Sequence, residues 1–212
     1  IPLEEQPTLI MSAERDELGI ACGLQDRVAQ IYNGLTFMDF ERSLVESTGH
    51  GRYERLDPKR IPNLYVAYDP RRAEESGKAH KKVKKLFQQQ NHDVVAAMSE
   101  FADIAQQGRD ALVAGRMEKI PALVNANFDL RDRIFNVAEE NRHMVMVARS
   151  AGASAKFAGS GGAIVGTYED DAQYAALSDA LEAIGCRTLK PVIASKRDED
   201  IELDSAGLWR NS

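Results

Sequence analysis

Basic excess, cysteine and long apolar runs are all scarce in this sequence, and each shortage closes off a class of function. Lys and Arg number 27 against 33 Asp and Glu, for a net charge of −6. The cationic surface needed to hold nucleic acid or an anionic membrane is therefore missing. There are only two cysteines, Cys22 and Cys186. They are too few for a disulfide framework or a zinc site and read as reduced thiols of a cytoplasmic protein. The four histidines (His50, His80, His92, His143) show no ligand spacing, so no metal site is expected. No run of about 18 apolar residues could span a bilayer. The acidic start, Ile1-Pro2-Leu3-Glu4-Glu5, does not have the form of a secretory leader. An initiating Met is absent too, so Ile1 is expected to open a fragment, a processed chain or one incompletely assigned.

What is present suffices for a sizeable core: 212 residues, 43% apolar and 28% charged. Pro2 to Glu17 has helical composition, with Pro2 suited to a first turn. Gly19 and Gly23 imply a turn, and Leu24 to Ile31 a helix with Leu24, Val28 and Ile31 on one stripe. Asn33-Gly34 then leads into a strand, Leu35 to Phe40, and Thr48 to Asn63 reads as a crossing between structural units. Beyond it come a strand (Leu64 to Tyr68) and a helix with core positions Val83, Leu86 and Phe87. Next is a helix N-capped by Asp93, whose stripe runs Val94, Met98, Phe101, Ala105. Pro121 opens a third helix, with Val124, Phe128 and Phe135 on one face. Glu139 to Ser150 forms a fourth, with Met144, Val147 and Ala148 in register. Strands at Ser154 to Ala158 and Ala163 to Tyr168 flank Gly159-Ser160-Gly161-Gly162. A helix from Asp170 to Ile184 closes at Gly185, and Arg187 to Ile193 reads as a last strand. Strand, helices, strand, strand, helix, strand is the split β-α-β order with extra helices in its first crossover. The predicted divisions are 1–58, 59–193 and a polar tail, 194–212, in which Leu208 and Trp209 are the apolar exceptions.

Four constellations could carry chemistry. The glycines around Ser160 can form either a tight hairpin turn or a concave anion site of successive N–H groups. In Cys22-Gly23-Leu24-Gln25-Asp26-Arg27, a carboxylate beside a cation reads either as a general base held ionised or as a surface ion pair of little consequence. Ser76-Gly77-Lys78 mimics the end of a P-loop but fails its pattern, because Arg72 and Ala79 stand where Gly and Ser/Thr are required. The basic run Arg71, Arg72, Lys78, Lys81, Lys82, Lys84, Lys85 lacks interleaved aromatics and reads as a solvated helix face.

Taken together, Leu18-Gly19-Ile20 through Asp26-Arg27 with Phe37-Met38-Asp39-Phe40, and Ala153 to Ala163, resemble two motifs of the GHMP sugar kinases. Ser76-Gly77-Lys78-Ala79-His80 and Asn127-Phe128-Asp129-Leu130-Arg131 are similar to plant-type glucuronokinases. The resemblance implies an α+β fold: a GHMP-kinase C-terminal domain of ferredoxin-like build, preceded by the end of the N-terminal kinase domain. It implies that Asp26 takes a proton from the sugar hydroxyl, a step worth about 10²–10⁴-fold. Arg27 would hold that carboxylate ionised or meet the substrate's acid group. Gln25 and Gly161 join Arg27 as implied substrate contacts, and Gly159, Ser160, Gly161 and Gly162 would lie near the phosphates. Asp26 and the bend near Ser160 are expected to face each other across a shared pocket.

The family's other two motifs, including the loop that wraps ATP, are absent from this sequence. ATP and Mg2+ would then be held mainly by an N-terminal half outside it, and this chain alone should not turn over. Two functional expectations follow. One is the C-terminal part of an ATP-dependent sugar-1-kinase for a sugar acid, partnered by its own N-terminal half or by another chain. The other is a truncated, non-catalytic relative whose cleft serves as a docking surface.

Overall fold

The computed structural model describes residues 1–20, 22–71, 77–135, 137–159 and 161–193, with the backbone alone over 77–82. Ser76, Ser160, the side chains of Arg72, Lys78, Lys81 and Lys82, and the tail 194–212 with Leu208 and Trp209 lie outside the described residues. The chain packs as two units, Ile1–Lys59 and Arg60–Val192. Among the described residues, no helix is long and apolar enough to cross a membrane.

In the first unit, α1 (Gln6–Ser12) carries Pro7 in its opening turn, where an N–H would have no intrahelical acceptor. The sequence assigned that place to Pro2, which instead precedes the helix. A π-helical segment, Ala13–Glu17, continues α1, and the chain then turns at Gly19, whose φ is +66°. Next, α2 (Leu24–Tyr32) buries Val28 and Tyr32. β1 (Leu35–Asp39) and β2 (Arg52–Leu56) pair antiparallel with Leu35 opposite Leu56, and α3 (Arg42–Thr48) lies between them in sequence. The stretch 48–63, read as a crossing between structural units, does contain the division after Lys59, and it also holds a strand that the reading did not give. Local composition hid it, because tertiary contacts hold it in place. Tyr53 meets the rings of Tyr32 and Phe40 edge-on, with centroids 5.2 and 5.9 Å apart. Arg55 Nε donates to the Tyr32 carbonyl at 2.8 Å.

The second unit opens with β3 (Leu64–Tyr68), followed by α4 (Gly77–Gln88), α5 (His92–Val113), α6 (Ile120–Ile134) and α7 (Glu139–Ser150). β4 (Lys156–Phe157), β5 (Ala163–Thr167), α8 (Asp171–Ala183) and β6 (Arg187–Leu189) complete it. The sheet order is β4-β5-β3-β6, antiparallel at every pairing. This is the split β-α-β fold with helices inserted in its first crossover. Several boundaries differ from the sequence reading. Asn91, not Asp93, caps α5, its side chain accepting from the Val94 N–H. Phe87 is exposed where a core position was expected, and Ala105 likewise. Both flanking strands are shorter than their apolar runs suggest. The cap on α8 is Asp170, accepting from Gln173 N, and Gly185 follows at φ +84°. Lys84 and Lys85 are exposed, as a solvated face requires.

Tyr65, Phe128, Val145, Ile164, Leu177 and Leu181 form the centre of the core. Phe128 and Phe157 meet edge to face at 5.3 Å. β5 contributes Gly166 because the chain at Ser154 presses against it: a Cβ there would lie 1.7 Å from the Ser154 carbonyl oxygen. Two outcomes follow for urea denaturation. Phe128→Ala should cost about 3–5 kcal/mol through the cavity it leaves. Gly166→Ala should destabilise this unit comparably, since backbone rather than a flexible side chain must move.

Candidate active site

Gly23 is the N-cap of α2, in extended conformation and with no side-chain cap. The first-turn N–H groups of α2 therefore receive no help from it. Asp26 sits in that first turn, where a carboxylate is favoured by the helix dipole. Its side chain is 77% exposed, whereas that of Arg27 beside it is only 12% exposed. Arg27 points inward because a partner waits there: its guanidinium pairs with Glu14 of the π-helical segment and makes a longer, 3.4 Å contact to Asp26. Arg27 Nε is buried and finds no hydrogen-bond partner among the described residues. Gln25 is exposed on the same turn. Burial, with the Glu14 carboxylate adding to it, pushes the Cys22 thiol up.

Glu14 was not singled out in the sequence, because its pairing with Arg27 joins residues thirteen apart that no local pattern links. Asp26 is at the surface, and the cation behind it is anchored from below.

The glycine bend belongs to the second unit and closes the β4–β5 hairpin, with Ala158 N donating to Ala163 O at 3.0 Å. Gly159 is exposed and Gly162 is buried. Gly162 adopts φ +71°, a conformation that suits glycine. Its N–H donates to Asn141 Oδ1 at 3.1 Å, and its carbonyl accepts from Asp69 N at 3.0 Å. Both polar atoms of Gly162 are thus engaged internally. Asp69 is buried and receives Arg71 through Nε at 2.8 Å and through a second guanidinium nitrogen at 2.8 Å. Next to this corner, Asp69, Arg71, Glu139, His143 and Cys186 help line a cavity of about 340 Å³. Asn141 also escaped the sequence reading. A signal was available: it is the one polar residue on the buried stripe Asn141, Met144, Val145, Ala148 of α7.

No family model matches the chain. It is 40% identical over 168 residues to Glucuronokinase 1 of Arabidopsis thaliana and 41% identical over 169 residues to Probable glucuronokinase 2 of the same plant. Each alignment takes in 78% of this chain and 46% of the relative, so the chain spans about half the length of the curated relatives it matches. Among solved structures, L. major mevalonate kinase in complex with R-mevalonate superposes with a TM-score of 0.67 at 23% identity, over 88% of this chain and 58% of that one. Lactococcus lactis galactokinase complexed with galactose gives a TM-score of 0.66 at 16% identity, over 91% and 60%. These likenesses show the fold.

Replacing Asn141 by Ala should leave the buried Gly162 N–H unsatisfied, at a cost of about 1–3 kcal/mol. Chemical denaturation checks the cost, and faster hydrogen exchange at the Gly162 amide checks its origin. Glu14→Ala should destabilise the first unit by about 2 kcal/mol, because it strips a mostly buried guanidinium of its nearer counter-charge.

Proposed function

Because this chain has the fold of the GHMP kinases and is 40% identical over 168 residues to part of a plant glucuronokinase, we propose that it forms the C-terminal part of an ATP-dependent kinase for a hexuronic acid such as glucuronate, acting at the anomeric hydroxyl. The observation that carries this reading is the exposed Asp26 carboxylate, backed by an inward-facing Arg27 that Glu14 anchors.

In this reading Asp26 accepts the proton of the sugar hydroxyl as that oxygen attacks the terminal phosphorus of ATP. Arg27 acts from behind. Engaged by Glu14, it presents a fixed positive charge to Asp26 at 3.4 Å, and is poorly placed to reach a substrate carboxylate itself. Gln25, on the same turn, offers an amide donor and acceptor to neighbouring hydroxyls. Phosphoryl transfer is chiefly positioning and charge stabilisation; within the second unit, the glycine bend offers bare backbone to an anion. That contribution falls to Gly159 and Gly161, because the amide and carbonyl of Gly162 are already engaged. ATP, when bound, supplies the transferred group. No cluster of three or more His, Cys, Asp or Glu side chains suited to a metal occurs among the described residues. Mg2+ would be held with the nucleotide by residues of an N-terminal kinase half.

In the complete gene product, Asp26→Asn should lower turnover of glucuronate by about 10²–10⁴-fold. Urea midpoint and substrate KM should stay close to the parent values, as a coupled ADP-release assay and a denaturation curve would show. Retained turnover would remove Asp26 as the base.

A further inference from the structure

Lys156 occupies an unusual electrostatic position. It lies on β4, three residues before Gly159, and is half-buried. Its ammonium donates to the Phe157 carbonyl at 3.1 Å and pairs with no carboxylate among the described residues. Other cations of this unit are treated differently: Arg149 meets Asp129 at 2.7 Å, and Arg142 meets Asp132 at 2.7 Å. Close to Lys156 stands a second positive charge. The guanidinium of Arg131 lies 5.0 Å from the Phe157 ring centroid and 5.0 Å from that of Phe135. Burial, followed by the field of Arg131, holds the Lys156 ammonium pKa below its ordinary value. Desolvation and a like charge both penalise a cation. An arriving oxyanion would offset both.

We propose that Lys156, with Arg131 beside it, forms a subsite for an oxyanion, a carboxylate or a phosphate, at the foot of the glycine bend. The identity of the ligand rests on the kinase reading above; the existence of the subsite does not. No covalent step is involved. The ammonium keeps its proton and contributes charge and hydrogen bonds.

The 212-residue chain in low-salt buffer is titrated with inorganic phosphate, with glucuronate, and with glucose as a neutral control. Melting temperature and the Lys156 Cε–Hε NMR signal are followed. At least one anion should raise the melting temperature by about 2–4 °C and shift the Lys156 signal, while glucose does neither. Glucuronate acting alone assigns the subsite to the substrate carboxylate, and phosphate acting alone assigns it to the phosphoryl group. Lys156→Met should abolish the response and, without anion, melt higher than the parent; Lys156→Arg should keep the response. The absence of any anion response, or a response that persists in Lys156→Met, overturns the proposal. Should the Met variant fail to fold, the wild-type Lys156 signal decides, since an unmoved signal at saturating anion also overturns it. Anion binding at Lys156 without sugar phosphorylation by the complete gene product would remove the kinase reading and leave this subsite standing.

Discussion

Ser154 is buried, and each of its polar atoms finds a partner on a neighbouring strand. Its N–H donates to Thr167 O at 3.0 Å, and its carbonyl accepts from the buried Tyr65 hydroxyl at 2.9 Å. Its Oγ accepts from Thr167 N at 2.9 Å and lies 2.7 Å from Thr167 Oγ1. A buried polar group is tolerable only when satisfied, and a fully satisfied one fixes position more sharply than apolar packing does. This node ties the residues before β4 to both central strands. It can form only because Gly166 lets the backbones approach. The placement of β4, and through it of Lys156 and the glycine bend, follows from that close contact.

The glycine bend is accordingly a composite. Its far corner, Gly162, is a structural element held by Asn141 and by the backbone at Asp69. Its near side, Gly159, is exposed. Any ligand chemistry therefore belongs to part of the bend, with the rest acting as a fixed base. The arrangement around Asp26 has the same logic. The exposed group is supported by a hidden one, because Glu14 holds Arg27 inward while Asp26 remains at the surface.

The elements that were legible in the sequence carry their own punctuation. α7 matches its reading because Met144 and Ala148 keep the helical period. α8 does so because Asp170 caps it and Gly185 ends it. β3 and β5 are compact apolar runs. By contrast, β2 is written in Arg52, Tyr53, Glu54 and Arg55, and only the rings of Tyr32 and Phe40 show why it is a strand. Phe87 looked like core from spacing alone, but propensity and period say nothing about what covers a position. Within the candidate site, Asp26, Arg27 and the glycines were visible as a motif. Glu14, Asn141 and the isolation of Lys156 were not, since each depends on how residues apart in sequence come together.

The two outer strands of the four-stranded sheet have a consequence for self-association. β4 has two residues and β6 has three, so each border of the sheet offers very little unpaired ladder to a second strand. Brief margins of this kind protect against edge-to-edge stacking and domain exchange, and each also carries a cation, Lys156 in β4 and Arg187 in β6. Colloidal behaviour of this unit would then be governed by its helices, whose outward faces carry most of its charge, and hardly at all by its sheet.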